Sequence, residues 1–477
     1  MLPSVIVVLM LLSFTCGENP AVQVILTNKG LQYGKHVGAG WIQDKLESFI
    51  FPDISGEIPI SFFGKLQYTL TGITITKCDF PEPSVEFYQN ATGFKTSMSG
   101  LSVALTGGWT TLFGFIHSSG SFDLAIFSVD VTSVVQLGKD ADGHLSVTSA
   151  SCDAQVGNLD IQCKGGTSWI FQPLVEHYKG SIKGEIEARI CPNVKEIIAN
   201  LESHLQAMKV SFDVDQDITL ELPLTGLPVI DASSLNLGLK GEFYSIKTHA
   251  EPPFEAKPFT VQKQSGYMLS VGLSEFTLNS GSYGYYSAGL LQTLINDSMI
   301  PPGSHVHLNT SSMGPFIPQL PKLFPGLLMN LQVYAREVPL FSFQPGSVKL
   351  NLLGAVKAFA IQPNGTQTPL FKLSVDSIFS GKPWTADGKL KGSMAMNNLT
   401  VTLASSEVGT FKTDAIESLV RMGSQVIVAN LNEKLGKGVD LPRMKQAELV
   451  NTVMAVEEGF IAISSDAQVL QTDGRFN

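Results

Sequence analysis

The chain is short of charge. Only 16% of its 477 residues are Asp, Glu, Lys or Arg, against an average of about 25%. That scarcity argues against a disordered, charge-solvated protein. An excess of cations is missing too: Lys and Arg total 32 against 42 Asp and Glu, for a net charge of −10. The deficit is even, with 13 cations and 18 acids over 19–210, then 19 and 23 over 211–477. Neither half offers the basic stripe that nucleic acid requires, so nucleic acid is not an expected partner. Cysteine is sparse as well. Cys78, Cys152, Cys163 and Cys191 follow Cys16 without a CxxC spacing, and no histidine stands at zinc-finger distance, which argues against a thiolate metal site. After the first dozen residues no apolar run reaches the roughly 18 residues of a membrane helix.

Catalytic signatures are absent from the linear sequence. SGSYG at 280–284 departs from the GxSxG elbow at its first position, and no Gly-Lys pair is followed by Ser or Thr as a P-loop demands. His305 and His307 share a strand face but have no carboxylate or thiol close by in sequence. Asp213, Asp215 and Asp217 also alternate, yet Ile218 stands where a calcium loop needs glycine. The expectation is a protein that is not an enzyme, with no catalytic residue, metal or cofactor.

What is present begins at the N-terminus. Residues 1–17 carry no charged side chain, Val5–Leu12 is almost wholly apolar, and Thr15 and Gly17 are small residues at −3 and −1 of a cleavage site. This reads as a secretory signal peptide, so the mature chain is expected to be extracellular. In that compartment the four later cysteines allow three pairings. Asn90, Asn296, Asn309, Asn364 and Asn398 head Asn-X-Ser/Thr sequons and are expected glycosylation sites.

The order of textures repeats. IIANLESHL at 197–205 returns as IVANLNEKL at 427–435, keeping Ile, Ala, Asn and both Leu in place. The separation is too large for a solenoid and points to two homologous halves. In the first, a helix over 29–50 precedes alternating strand-like runs from Ile54 to Cys163 and a long amphipathic helix over 169–210. In the second, a helix is expected over 284–299, strands over 304–405 and a closing helix over 412–436. HAEPPFEAKPF at 249–259, with three prolines, reads as a linker.

These segments carry a family resemblance. NPAVQVILTNKGLQY (19–33), GSFDLAIFSVDV (120–131), YMLSVGLSEFTLNS (267–280), MIPPGS (299–304), NEKLGKGVDLPR (432–443) and EEGFIAISSD (457–466) resemble, in one colinear order, the lipid-transfer and lipopolysaccharide-binding family. Bactericidal permeability-increasing and lipopolysaccharide-binding proteins typify it. The resemblance implies an α+β boomerang: two pseudo-symmetric barrel-and-long-helix domains joined by a central antiparallel sheet, each holding a phospholipid in an apolar pocket. The implied plan is a signal peptide (1–17), an N-terminal barrel (18–211) and central-sheet strands with the Pro-rich linker (212–265). A C-terminal barrel (266–440) and a return to the central sheet (441–477) complete it.

It also implies a Cys152–Cys191 disulfide, with Cys78 and Cys163 as free thiols or a second bridge. The implied partners are lipopolysaccharide, phospholipid and the bacterial outer-membrane surface, for a monomer acting in innate immunity, antimicrobial or a phospholipid carrier. One departure stands out. Where the bactericidal member bears clustered Lys and Arg at the tip of its first domain, residues 46–66 and 105–122 hold one cation, Lys65, against Glu47, Asp53 and Glu57. Phe49, Phe51, Phe62, Phe63, Trp109, Phe113, Phe115 and Ile116 make that tip apolar. Trp109, Phe113, Phe115 and Ile116 are the lipid-contact candidates. Strand alternation divides this set between the barrel interior and the lipid-facing tip.

Overall fold

The computed structural model describes residues 18–47, 52–59, 64–300, 303–304, 306–440 and 447–469. The signal stretch, Phe49, Phe51, Phe62, Phe63 and His305 lie outside them. Two compact units result. One comprises Leu26–Met208 with Leu227–Asn236; the other gathers the described parts of Met1–Ile25, Lys209–Gly226 and Leu237–Asn477. Strand β1 (Val22–Thr27) runs from one unit's residues into the other's.

In the first unit, helix α1 (Asn28–Glu47) precedes a meander of β2 (Ile54–Pro59), β3 (Lys65–Asp79), β4 (Ser84–Tyr88), β5 (Gly93–Phe113), β6 (Ile116–Lys139) and β7 (Leu145–Lys164). Sheet order is β2-β3-β5-β6-β7, with β4 paired to β5. Ile73, Leu105, Trp109 and Phe122 form a buried cluster on its inner face. Later, β10 (Val229–Asp231) and β11 (Ser234–Leu239) pair as a hairpin.

Among the described residues, strand β7 has no strand partner on its outer edge. Helix α2 (Ser168–Gln206), which runs through Pro173 and Pro192, lies there instead. Its side chains take over the hydrogen bonds of a missing strand. Gln172 accepts from the Cys163 N–H and donates to the Ile161 carbonyl, each at 2.8 Å. Glu202 accepts from the Val147 N–H and the Ser146 hydroxyl. Between them Cys191 is bonded to Cys152, with an S–S distance of 2.04 Å. From Gln172 to Glu202 the helix rises about 45 Å; from Val147 to Cys163 an extended strand covers about 53 Å. The helix is therefore long enough to line nearly the whole edge.

The second unit repeats this device. Strands β8 (Ser211–Asp213), β9 (Ile218–Glu221) and β12 (Glu242–Ser245) form a small sheet. A second sheet places β13 (Leu269–Ser274) between β1 and the hairpin of β21 (Ala447–Glu457) and β22 (Phe460–Val469). The largest contains β14 (Gln292–Asn296), β15 (Met329–Ala335), β17 (Ser347–Ile361), β18 (Gln367–Ala386), β19 (Lys389–Ser406) and β20 (Val439–Asp440), with β16 (Leu340–Gln344) paired to β17. Helix α4 (Asp414–Lys437) follows β19. Its Asn432 holds both the N–H and the carbonyl of Met394, at 2.7 and 2.8 Å. Glu417 accepts from the Val401 N–H, and Arg421 donates to the Leu399 carbonyl. Glu202 and Asn432 occupy the same position of the nine-residue repeat, so the repeat marks equivalent clamps.

Two expectations change here. The helix expected at 284–299 is instead α3 (Glu275–Ser287). Gly289, at φ +73°, stops it. The Gly289 N–H bonds to the Tyr286 carbonyl and the Leu290 N–H to the Tyr285 carbonyl, the Schellman arrangement. The apolar run beyond it becomes β14. Among the described residues β14 comes before the expected strand start at 304 and the next strand is β15; a proline-rich stretch with one helical turn, Leu320–Leu323, lies between them. Prolines at 315, 318, 321 and 325 deny the ladder its donors. Ile317, Leu320 and Met329 of this region are fully buried.

Candidate functional site

The longest hairpin ends in the candidate tip. Phe113 pairs with Ile116, leaving Gly114 and Phe115 as a two-residue loop. Gly114 takes φ +59°, which suits the first central position of such a turn. Phe115 at the apex is 102% exposed and Ile116 54%, while Phe113 is half-buried. The start of α2 is fastened to the same end, where the Thr167 N–H and hydroxyl donate to Ser118 Oγ at 2.9 and 2.7 Å. Two residues further on, Trp169 is 75% exposed. Sequence reasoning placed Trp169 only as a helix residue. The signal it missed was that the helix must begin where β7 ends, at the end of the sheet that carries the β5–β6 turn.

Trp109 belongs elsewhere. It is 4% exposed, packed with Ile73, Leu105 and Phe122, and its indole N–H donates to the Ser121 carbonyl at 2.9 Å. Alternation along β5 turns it inward. As a group that meets lipid at the tip it is misplaced.

The charges near this end are already matched. Lys65 donates to Glu57 at 2.8 Å and Gln67 to the other carboxylate oxygen at 3.0 Å. These bonds hold the Glu57 carboxyl below its ordinary pKa and the Lys65 ammonium above its own. Gln67 lies opposite Leu112, so the pair borders the β5–β6 turn. Lys164, opposite Ser121, pairs with Asp123, whose carboxyl is lowered chiefly by that lysine. Neither lysine is left to meet a phosphate.

The long helices present a second apolar feature. Each clamp residue follows an uncovered leucine: Leu201 (49% exposed) before Glu202, and Leu431 (39%) before Asn432. Ile197 is exposed one turn before the first, and Leu435 one turn after the second. The polar flank of each helix grips the sheet edge while an apolar flank beside it stays open.

Among the other sequence candidates, Asn90, Asn364 and Asn398 are exposed, whereas Asn296 and Asn309 are half-buried. Cys78 and Cys163 are both outside the disulfide, and burial raises the pKa of the Cys163 thiol. His307 pairs with Asp297 at 3.2 Å. Asp213 and Asp215 accept bonds from Thr219 and from the Asp217 and Ile218 N–H groups, as turn-forming carboxylates do. Asp140, Asp142 and His144 come within 4.8 Å of one another. Asp140, however, spends its oxygens on the N–H groups of Asp142 and His144 and on the His144 ring. That is turn chemistry.

Residues 30–208 match the N-terminal domain of the LBP / BPI / CETP family and residues 212–469 its C-terminal domain. The chain belongs to this family. Bactericidal permeability-increasing protein of Sebastes schlegelii is 35% identical over 460 residues, covering 96% of this chain and 97% of that one. Human lipopolysaccharide-binding protein is 26% identical, with 98% of each chain covered. The crystal structure of lipopolysaccharide binding protein shares the fold of this family member, with TM-score 0.57, 23% identity and coverage of 95% of this chain and 100% of that one. Among the described residues no helix is long and apolar enough to cross a membrane.

Proposed function

We propose that this family member is a secreted, monomeric protein of innate defence that binds lipopolysaccharide by its acyl chains at the bacterial outer-membrane surface. Phe115, Ile116 and Trp169 form the contact, with Phe113 beneath them. The observation that carries this reading is Phe115, fully exposed at the apex of a tight hairpin where the nearby lysines are already paired. An aromatic ring in that position gains by leaving water, and Lys65 and Lys164 beside it are each already paired with a carboxylate. The names of the relatives, bactericidal permeability-increasing and lipopolysaccharide-binding protein, support the ligand class. Lipid binding of this kind breaks no bond, so the protein is no enzyme and needs no cofactor.

A second reading, an extracellular phospholipid carrier, draws on the repeated open flank at Leu201 and Leu431. One phospholipid per half would cover it. Binding assays with native and deacylated lipopolysaccharide separate charge from acyl recognition. The acylated form is expected to bind at least about tenfold more tightly than the deacylated form; equal affinity for both would sink the acyl reading.

A further inference from the structure

The outward face of the largest sheet carries a group of side chains that lipid binding leaves unused. Met329 and Leu331 of β15 face the core, so alternation puts Asn330, Gln332 and Tyr334 on the opposite face. Cross-strand partners share a face. Leu294 therefore joins Gln332 from one side and Lys357 from the other, and Phe359 joins Asn330. Lys372 stands directly opposite Lys357. Gln292, Thr293, Leu294, Gln332, Phe359 and Gln367 line a groove of about 400 Å³, within the roughly 300–1,000 Å³ range of small-molecule sites.

Two features of this face are left unsatisfied by the fold. Like charges directly opposite each other on paired strands destabilise a sheet. Lys357 and Lys372 are so placed, 5.5 and 5.9 Å from the same Tyr334 ring centroid, and neither pairs with a carboxylate among the described residues. The shared ring attracts each ammonium and so concentrates positive charge beside the groove. The second feature is Asn330, 7% exposed, whose Oδ1 accepts no hydrogen bond. A buried acceptor is costly to leave without a donor, and Asn330 is the cross-strand partner of Phe359 in the groove wall.

We propose that this groove binds an acidic saccharide. Its carboxylate or phosphate would sit at Lys357 and Lys372, where charge-assisted hydrogen bonds are strongest. The glutamine amides offer both donors and acceptors to hydroxyl groups, and Leu294 and Phe359 supply apolar surface for a sugar face. The site lies in the other unit from the hairpin tip and does not depend on the acyl reading. Three sources share this chemistry: the acidic core sugars of lipopolysaccharide, a sialylated glycan, and a glycan on this chain's own Asn296, at the end of β14.

The test is calorimetric titration of the full secreted chain with acyl-free core oligosaccharide, with sialyllactose and with lactose. At least one acidic saccharide is expected to bind, about tenfold or more tighter than lactose, and to weaken as salt rises. Lys357→Gln with Lys372→Gln is expected to lower that affinity at least about tenfold, while Phe115→Ala leaves it unchanged. Lys357→Gln alone, at an exposed position, keeps the test valid if the double variant misfolds. Tighter binding in Asn296→Gln identifies the chain's own glycan as the resident source, and unchanged binding identifies an external one. Lactose bound as tightly as sialyllactose, no saturable binding by any acidic saccharide in either glycan state, or indifference to the lysine substitutions overturns the proposal.

Discussion

Phe115→Ala and Trp109→Ala are two aromatic truncations on one hairpin, expected to fail in opposite ways. Phe115 is fully exposed, so its loss changes stability by no more than about 0.5 kcal/mol, as for an open surface site. Its cost falls on binding. An aromatic side chain buries about 150–250 Å², which at about 25 cal/mol per Å² sets a ceiling near 4–6 kcal/mol. With about half of that area entering the acyl layer and Ala keeping a part, about 2 kcal/mol remains, some thirtyfold in affinity. Trp109 is the reverse: it is buried and hydrogen-bonded, so truncation costs about 3–5 kcal/mol of stability. Its effect on lipid follows from loss of the barrel. Thermal melts and lipopolysaccharide titrations on both variants, at low and physiological salt, separate the two. A Phe115→Ala variant that binds normally refutes the tip, as does a tenfold fall of affinity with salt that survives Lys357→Gln with Lys372→Gln.

Other expectations concern the scaffold. Replacing Cys152 and Cys191 by Ser removes a bond closing a 39-residue separation and is expected to cost about 4 kcal/mol in chemical denaturation. Leu201→Asp and Leu431→Asp are each expected to remove one of about two phospholipids recovered by organic extraction and mass spectrometry, since a charge on the open flank opposes acyl burial. Lys240 bridges Glu221 at 2.9 Å and Glu242 at 3.1 Å, so Lys240→Met is expected to cost about 3 kcal/mol at neutral pH by orphaning a buried carboxylate. Burial holds the Glu242 carboxyl above its usual value of 4.5. A raised folded pKa favours folding below the unfolded value and loses that contribution as pH rises through the folded value. The deficit of the variant should therefore shrink as pH falls toward 4.5; a deficit that grows on acidification contradicts the assignment.

Much of this molecule was legible because its signals are local. The β-branched runs of β5, β6 and β7 alternate as a sheet demands, and the nine-residue repeat falls in α2 and α4. The Schellman stop at Gly289 was misread because an apolar run continues past it, and LLQTLIN fits either period over so short a stretch. Trp109 was misplaced for a related reason. Sequence shows that alternate residues of β5 face opposite ways, but not which set faces inward until β3 and β6 are in register. Gln172, Glu202 and Asn432 gave no signal at all, because a polar residue on a helix reads as solvated until a strand edge lies against it.

The divergence inside the repeat carries physical content. Glu202 and Asn432 differ in charge yet do the same work, for different reasons. A carboxylate only accepts, and Glu202 meets two donors, the Val147 N–H and the Ser146 hydroxyl. An amide both donates and accepts, and Asn432 meets both groups of Met394. Each side chain suits the donors and acceptors its own edge strand exposes, so exchanging them would orphan a group in either half. The less exposed positions that both copies of the repeat share are Ile198 and Glu202 in one half and Val428 and Asn432 in the other. Leu201 and Leu431, each one residue before its clamp, stay exposed. Under the lipid reading the clamp and the open flank are one requirement, since a helix gripped along a single polar line has an apolar side free for an acyl chain.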